Sequence, residues 1–313
     1  MITVFARNYY KGCTTSAYSA IFDGINDAAL TNVGNHWPSA YSRSGVQTKV
    51  VFSMWIKQDW TLSNVGNNIR FFMSQTASAV GGGDVNNQFI RIGYGAKNGS
   101  GSSTNKLFVT YRGNGTSNQI EKIYNIHSAA NSSITGSTSN SDYWTSDNTN
   151  INVNDRGFVH ICAIMNLPAY SATNPESFSA GSINTYWNGS LLTHTNYNVS
   201  GVAQQDSNYI QGMIGGNVAT LGNLFQGKID ELQALSEDQA QVSAFKTAYS
   251  LTSDQDIATL FYNDGCPLDT TDHPNAYSWN YFNYKFENNW NSEGANAYPM
   301  TPANGVTFST DHA

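Results

Sequence analysis

Residues 224–235 read Leu-Phe-Gln-Gly-Lys-Ile-Asp-Glu-Leu-Gln-Ala-Leu, and this stretch decides the fold of the chain. Its run of apolar residues predicts a buried strand. Strict alternation would place apolar residues on both faces, with Asp230, Leu232 and Ala234 on one and Phe225, Ile229 and Leu235 on the other. The strand is therefore packed on both sides, or a bulge at Gly227 changes which side points inward. Because a bare carboxylate away from water costs several kcal/mol, Asp230 must be paired, hydrogen-bonded or bound to a metal.

The composition argues against two classes of partner. Charged residues make up only 12% of the chain, against roughly 25% in typical globular proteins. The formal net charge is -7, and Lys and Arg are not clustered anywhere, so binding of nucleic acid is not expected. No run approaches the roughly 20 apolar residues of a membrane span, so membrane insertion is not expected either.

The N-terminal sequence and the cysteines predict a protein made in the cytoplasm. The first residues, MITVFARNYYKG, lack the apolar core of a signal peptide. The three cysteines, Cys13, Cys162 and Cys266, are an odd number and lack metal-site spacing. We therefore expect free thiols in a reducing compartment.

The order of predicted elements favours an all-β sandwich. β-branched and aromatic segments recur at 20–27, 50–57, 68–73, 88–93, 106–112, 120–126 and 158–165. Asn188-Gly189, between the apolar stretches 183–187 and 190–194, predicts a two-residue type I′ hairpin. Only two short helices are expected, both late. Ser236 with Gln239 would cap the first as a capping box, and Ser253 would cap the second.

The chain divides into three parts. We predict an arm over residues 1–19, a sandwich over 20–266 and a tail over 267–313, where Asn, Tyr, Trp and Pro become frequent. The tail either adds strands to the sandwich or docks on a neighbouring subunit. Long polar connections interrupt the sandwich, and the longest covers residues 128–156.

Four segments resemble one family in their order and spacing. They are Ile-Phe-Asp-Gly-Ile-Asn-Asp at 21–27, Phe-Ser-Met-Trp-Ile-Lys at 52–57, Tyr-Trp-Asn-Gly at 186–189 and Gly-Lys-Ile-Asp-Glu-Leu at 227–232. Together they resemble the laminin-G-like branch of the concanavalin A-like lectin and glucanase superfamily. The resemblance implies a jelly-roll sandwich of two antiparallel sheets. It also implies a structural Ca²⁺, with Asp23 and Asp230 as ligands and Asp27 as a further candidate; a hydrogen-bonded turn is the alternative for these residues.

The chain also looks like the sandwich proteins on the surface of tailed-phage particles. Its tail ends in Asn-Gly-Val-Thr-Phe-Ser-Thr-Asp at 304–311, and its loops are rich in amides. This resemblance implies a virion structural protein, either a capsid decoration or a fibre head, assembled in the host cytoplasm and placed on the virion surface. Its partners would be other virion proteins, and a homo-oligomer is expected. The alternative is a carbohydrate-binding module that adheres to host-surface glycans.

Enzymatic activity is not expected. Glucanases of this architecture carry alternating carboxylates on one strand, and no Glu-x-Asp-x-Glu run occurs here. Asp230 and Glu231 are adjacent, so alternation points them to opposite faces. His160 lies between apolar residues and is interpreted as a core histidine rather than a catalytic base.

Aromatic residues in loops are the candidate sugar contacts, because lectins stack sugars on such rings. The candidates are Trp60, Tyr143, Trp144 and Tyr170. The chain contains 18 Tyr and 7 Trp, so many of its aromatic residues must instead serve the core or subunit contacts.

Overall fold

The computed structural model describes sixteen ranges of the chain, and every structural statement below concerns them. They are residues 18–31, 48–58, 69–76, 89–95, 106–112, 119–125, 158–167, 177–179, 182–193, 196–201, 211–218, 222–236, 241–268, 282–291, 299–303 and 305–310.

Two antiparallel sheets form the body of the protein. The first sheet contains, in spatial order, β10 (Ser190–Leu191), β9 (Ile183–Trp187), β8 (Val159–Leu167), β3 (Thr48–Gln58), β13 (Gln226–Ser236), β1 (Ser19–Asp23) and β16 (Thr307–Ser309), and β14 (Phe282–Tyr284) also pairs with β13. The second contains β11 (Asn196–Ser200), β7 (Gln119–Asn125), β6 (Lys106–Arg112), β5 (Phe89–Gly95), β4 (Arg70–Thr76), β12 (Gln211–Ile214), β2 (Ala28–Thr31) and β15 (Met300–Ala303). The predicted all-β sandwich of two antiparallel sheets is confirmed.

The strand β13 lies at the centre of the first sheet. It pairs with β3 along one edge, and with β1 and then β14 along the other. Its register shifts between Asp230 and Gln233, so one extra residue is inserted at Glu231, whose φ is 47°. The bulge is therefore at Glu231. The sequence analysis had offered a bulge at Gly227 as one of two explanations for the apolar run, and that position is wrong.

The bulge changes which residues of β13 share a face. Ile229, Leu232 and Ala234 all lie in the core between the sheets, although strict alternation would separate Ile229 from the other two. Leu235 lies in a second apolar cluster, under the helices. Both faces of the strand are thus buried, as the apolar run predicts. Since alternation fails here, it no longer places Asp230 and Glu231 on opposite faces.

Aromatic side chains fill the space between the sheets. Phe225, which precedes β13, lies at their centre, with ring centroids 5.2 Å from Phe72, 6.1 Å from Phe22 and 6.5 Å from Tyr94. Rings at these distances and tilts attract one another beyond the area they bury. The stretch that decides the fold therefore also supplies the centre of its core.

Two helices cover the outer face of the first sheet. They are α1 (Gln241–Ala248) and α2 (Asp254–Tyr262), and Phe245 of α1 stacks on Phe261 of α2. Ser253 caps α2, as predicted, and it does so in a capping box with Asp256 that the sequence analysis did not predict. Ser236 does not open α1: it is the last residue of β13, and its N–H donates to Gln241 Oε1. Neither helix has the length and apolar character that crossing a bilayer requires.

The segment after residue 267 contributes to both sheets. β14 and β16 belong to the first sheet, and β15 belongs to the second. Phe286 and Trp290, which follow β14, lie in the core with ring centroids 5.3 Å apart. The aromatic residues described in this segment therefore lie in the inter-sheet core or, in the case of Phe308, pack against it.

The cysteines differ from the prediction in one respect. Cys162 is a buried free thiol, as expected. Cys266, which follows α2, is disulfide-bonded, so the prediction of three free thiols is wrong for it. Cys13 lies outside the described residues. The expectation of a reducing compartment loses the support that it drew from free cysteines.

Candidate functional site

One end of the sandwich gathers the ends of many strands. In the first sheet, β13 begins there beside Asp23 of β1 and Gln58 of β3, and β8 begins there at Val159. In the second sheet, Arg70 begins β4 and Asn125 ends β7 at the matching edge. We call this end, with the β1–β2 turn, the loop end.

Arg70 connects the two sheets at the loop end. Its Nη1 donates to the carbonyl of Gly24 at 3.1 Å, in the β1–β2 turn, and to the carbonyl of Leu224 at 2.6 Å, just before β13. Charge-assisted hydrogen bonds of this kind are stronger than neutral ones. Sequence analysis did not single out Arg70, because its partners lie 46 and 154 residues away and no local pattern marks them.

The β1–β2 turn is held in shape by two carboxylates. Asp23 Oδ1 accepts from the backbone N–H groups of Ile25 (2.8 Å), Asn26 (3.1 Å) and Asp27 (3.3 Å). Asp27 Oδ2 in turn accepts from the N–H of Asp23 at 2.9 Å. Gly24 has a φ of 73°, and a Cβ there would lie 2.7 Å from Gln226. The turn is therefore rigid, and it holds the Ile25 side chain 79% exposed at its tip.

The two carboxylates of the turn have shifted pKa values in opposite directions. Partial burial alone would raise the pKa of Asp23, but its backbone N–H donors together lower it. Burial raises the pKa of Asp27; the N–H of Asp23 opposes this and the nearby Asp23 charge adds to it. The hydrogen bonds of Asp23 and Asp27 are those of the hydrogen-bonded turn that the sequence analysis gave as the alternative to a Ca²⁺ site.

Asp230 does not join the other two predicted calcium ligands. Asp23 pairs with Gln226, whereas Asp230 pairs with Trp55, so the two acids are four residues apart along β13. At about 3.3 Å per residue this is about 13 Å. Among the described residues, no three His, Cys, Asp or Glu side chains are grouped as metal ligands. The described residues therefore do not fit a Ca²⁺ site containing all three acids, and a site made by fewer acids and other oxygens stays a prediction.

Asp230 is nevertheless bound in place, as its burial requires. It is 0% exposed, and its Oδ1 accepts from the N–H of Glu231 at 2.9 Å. The side chain thereby binds the backbone of the bulge at Glu231, whose left-handed conformation is costly for a residue other than glycine.

His160 is a core residue, which confirms the interpretation from sequence. It is 0% exposed, its Nε2 lies 2.8 Å from Ser53 Oγ, and its ring lies 5.2 Å from that of Trp55. Burial lowers its pKa to about 3. A serine and a histidine in contact resemble part of a nucleophilic site, but both are buried and neither can touch a substrate in this structure.

The four aromatic candidates for sugar contacts lie outside the described residues. The connections that carry three of them are nonetheless attached at the loop end: Trp60 follows Gln58, and Tyr143 and Trp144 lie between Asn125 and Val159. Tyr170 follows Leu167, which pairs with Thr48 at the opposite end of the sandwich.

Comparison with known proteins gives no family. No family model matches the chain, and no curated protein matches it. The chain can be superposed on a solved structure from Bacteroides ovatus whose description is "putative carbohydrate binding protein" (12% identity, TM-score 0.43, 95% of this chain and 60% of that one).

Two further solved structures are more distantly similar. The tailspike protein 2 of Escherichia coli O157:H7 bacteriophage CAB120 gives 9% identity, a TM-score of 0.27, 81% of this chain and 28% of that one. The receptor-binding domain of botulinum neurotoxin type G gives 12% identity, a TM-score of 0.23, 71% of this chain and 46% of that one. The chain spans 60% or less of each of these three structures, and none of the similarities assigns a family.

Proposed function

We propose that this chain is a non-enzymatic module on the surface of a bacteriophage virion, a capsid decoration or fibre head, whose loop end adheres to host-surface glycans. One observation carries the adhesive part of the proposal. The connections that contain Trp60, Tyr143 and Trp144 are attached at the same end as the rigid β1–β2 turn and its exposed Ile25.

A rigid platform that carries long loops suits recognition. Arg70 and the Asp23–Asp27 pair fix the strand ends, so binding does not have to order them. Aromatic rings supply large contact areas with few rotatable bonds, and their faces accept the apolar faces of sugars. The amide- and hydroxyl-rich composition supplies hydrogen-bonding groups for sugar hydroxyls without a strong charge.

A binding role is also favoured by the state of the described reactive groups. His160 and Ser53 contact each other but are closed off from solvent, and Asp230 is bound to the backbone of its own bulge. We expect no release of reducing sugar from polysaccharides in the presence or absence of calcium. Measurable release would contradict the non-enzymatic assignment.

A glycan array, probed with and without Ca²⁺, tests the adhesive function. We expect hits that weaken at least about tenfold in the double variant Trp60→Ala, Trp144→Ala, because aromatic anchors dominate such interfaces. Tyr170→Ala, which changes the candidate contact whose connection starts at the other end of the sandwich, is the comparison variant and should bind like the unmodified protein if the site lies at the loop end. An array without hits in both conditions would remove the glycan-binding function, and equal losses in the control would remove the loop end as its location.

The placement on a virion is tested separately. It is supported by the resemblance to phage surface sandwiches, and the expected result is the chain among the structural proteins of purified particles, detected by mass spectrometry and by gold-labelled antibodies on their surface. Deletion of the tail is a poor test, because Phe286 and Trp290 belong to the core and their loss would unfold the sandwich. Light scattering of the purified chain tests the expected homo-oligomer.

A further inference from the structure

A shallow groove lies where α1 ends and the chain turns back towards α2. Its volume is about 450 Å³, within the range of sites that hold small molecules. The residues that line it are Ser243, Lys246, Thr247, Ser250, Leu251 and Thr252. Asp254, which follows the groove in the chain, forms an ion pair with Lys49 at 2.6 Å. Since Lys49 lies at the start of β3, the groove is at the end of the sandwich opposite the loop end.

Capping motifs hold the backbone of the groove in place. The N–H of Leu251 donates to the carbonyl of Lys246 at 2.8 Å. Ser250, whose φ is 56°, donates its N–H to the carbonyl of Thr247 at 3.2 Å. These two hydrogen bonds are those of a Schellman motif, and the chain then enters the capping box at Ser253. A ligand could therefore bind without first having to order the groove.

The polar groups of the groove divide into donors and acceptors. The ammonium group of Lys246 can only donate, and its bond to the carbonyl of Thr252 is 3.4 Å long and therefore weak. Thr247 Oγ1 donates its hydrogen to the carbonyl of Ser243 at 2.9 Å. Thr252 Oγ1 donates its hydrogen to Asp256 Oδ2 at 2.8 Å. Because a hydroxyl group has a single hydrogen, both threonine oxygens can only accept further bonds.

The charges around the groove favour a neutral ligand. Hydrogen bonds, above all the one from the N–H of Thr252, lower the pKa of Asp256 to about 2, so this carboxylate is ionised at neutral pH. The carbonyl end of α1 adds a partial negative charge. Among the six lining residues, Lys246 is the one cation and none is a carboxylate. An anion would therefore be repelled by Asp256 and the helix end, and a cation would be repelled by Lys246.

We propose that this groove binds a neutral sugar residue through neighbouring hydroxyl groups. A sugar hydroxyl has one hydrogen and two lone pairs, so it can accept from Lys246 and donate to a threonine oxygen. Leu251, which is half-buried, supplies an apolar surface for the C–H face of the ring. The groove is separate from the loop end and does not use its aromatic residues. This second sugar site and the adhesive function proposed for the loop end can therefore fail separately.

NMR titration of the isotope-labelled full-length chain tests the site, with the methyl glycosides of glucose, galactose, mannose and N-acetylglucosamine as probes. We expect at least one of them to shift the backbone amide signals of residues 250–252. The expected Kd is in the millimolar range, because an open groove makes few contacts. Glucuronate, which adds a carboxylate to the sugar ring, should bind more weakly because of Asp256. No shift with any neutral glycoside, or tighter binding of glucuronate, would overturn the proposal.

Variants locate the bound sugar. Thr247→Val keeps the shape of an exposed side chain but removes its acceptor, and it should weaken binding about fivefold. Lys246→Met removes the charged donor and should weaken binding at least about tenfold. Thr259→Val, at another exposed helical threonine, on α2 and outside the groove, is the matched control and should bind like the unmodified protein. Unchanged binding in Thr247→Val, or an equal loss in Thr259→Val, would overturn the proposal.

The double variant Trp60→Ala, Trp144→Ala separates this site from the loop end. It should show the same amide shifts with the neutral glycosides as the unmodified protein, even where its hits on the glycan array are lost. Loss of the shifts in this variant would place the sugar at the loop end and overturn the groove as a site.

Discussion

Replacing His160 with Gln should change how the stability of the protein depends on pH. His160 is fully buried, and its Nε2 contacts Ser53 Oγ, so a proton added to the ring would place a charge in the core beside Trp55. Its pKa is lowered to about 3 in the folded protein, from the 6.5 of an unperturbed histidine. The glutamine side chain would keep an amide near Ser53 but has no titration in this range.

The sign and size of the effect follow from proton linkage. Between the folded and unfolded pKa values, the unfolded chain binds more protons than the folded chain, so the free energy of unfolding falls as the pH is lowered. At pH values below the pKa of the histidine in the unfolded chain, the free energy of unfolding falls by up to about 1.4 kcal/mol for each pH unit. From about pH 7.5 to about pH 5 it sums to about 2 kcal/mol for this one histidine. The folded-state pKa is not reached, so the estimate does not depend on its precise value.

Urea unfolding of both proteins at several pH values across this window checks the prediction. The His160→Gln variant should be less stable at neutral pH, but its stability should fall less steeply on acidification, by about 2 kcal/mol over the window. The other five histidines are common to both proteins, and their contribution cancels in the difference. If the free energies of unfolding of the two proteins changed with pH in parallel, protonation of His160 would cost nothing in the folded state. That result would refute the conclusion that His160 is buried as a neutral core residue.

Three further substitutions test the fold by urea or thermal unfolding. Phe225→Ala should cost about 3–5 kcal/mol, because it leaves a cavity at the centre of the aromatic core. Ser253→Ala should cost about 1 kcal/mol through loss of the α2 cap, whereas Ser243→Ala, at an exposed site on α1, should have little effect. Cys266→Ser should cost about 2–4 kcal/mol, and the unfolded, non-reduced parent chain should show one free thiol of its three cysteines. An unchanged midpoint for Phe225→Ala, equal effects of the two serine variants, or three free thiols would contradict the respective assignment.

The features predicted correctly are those that short stretches of sequence determine. Asn188 and Gly189 adopt φ values of 47° and 75°, as a type I′ hairpin requires, since Asn-Gly is the pair that reaches this region most easily. The cap at Ser253 likewise depends on a short stretch, because its side chain accepts from the backbone of Asp256, three residues away. Strand positions followed from β-branched and aromatic runs because these pack well on a pleated, buried surface.

The features missed depend on contacts between distant residues. The bulge at Glu231 arises because Ile229 and Leu232 are both placed in the inter-sheet core, which alternation forbids without an inserted residue. Arg70 is recognisable only when the carbonyls of Gly24 and Leu224 are brought beside it. The disulfide of Cys266 depends on the folded position of another cysteine, which spacing does not reveal.

The sequence of the connections at the loop end can change without loss of the fold, because other residues fix the strand ends that carry them. Its platform is fixed by bonds from side chains to backbone groups: Asp23 and Asp27 bind N–H groups of their own turn, and Arg70 binds two carbonyls. Such bonds do not depend on which side chains follow Gln58 or Asn125 along the chain. Replacing Trp60 or Trp144 should therefore weaken adhesion while the unfolding midpoint stays constant, whereas Arg70→Met should lower the midpoint because it releases both strand ends. A midpoint that falls equally in both kinds of variant would mean that the aromatic residues belong to the core, and the loop end would then lose its separate role in binding.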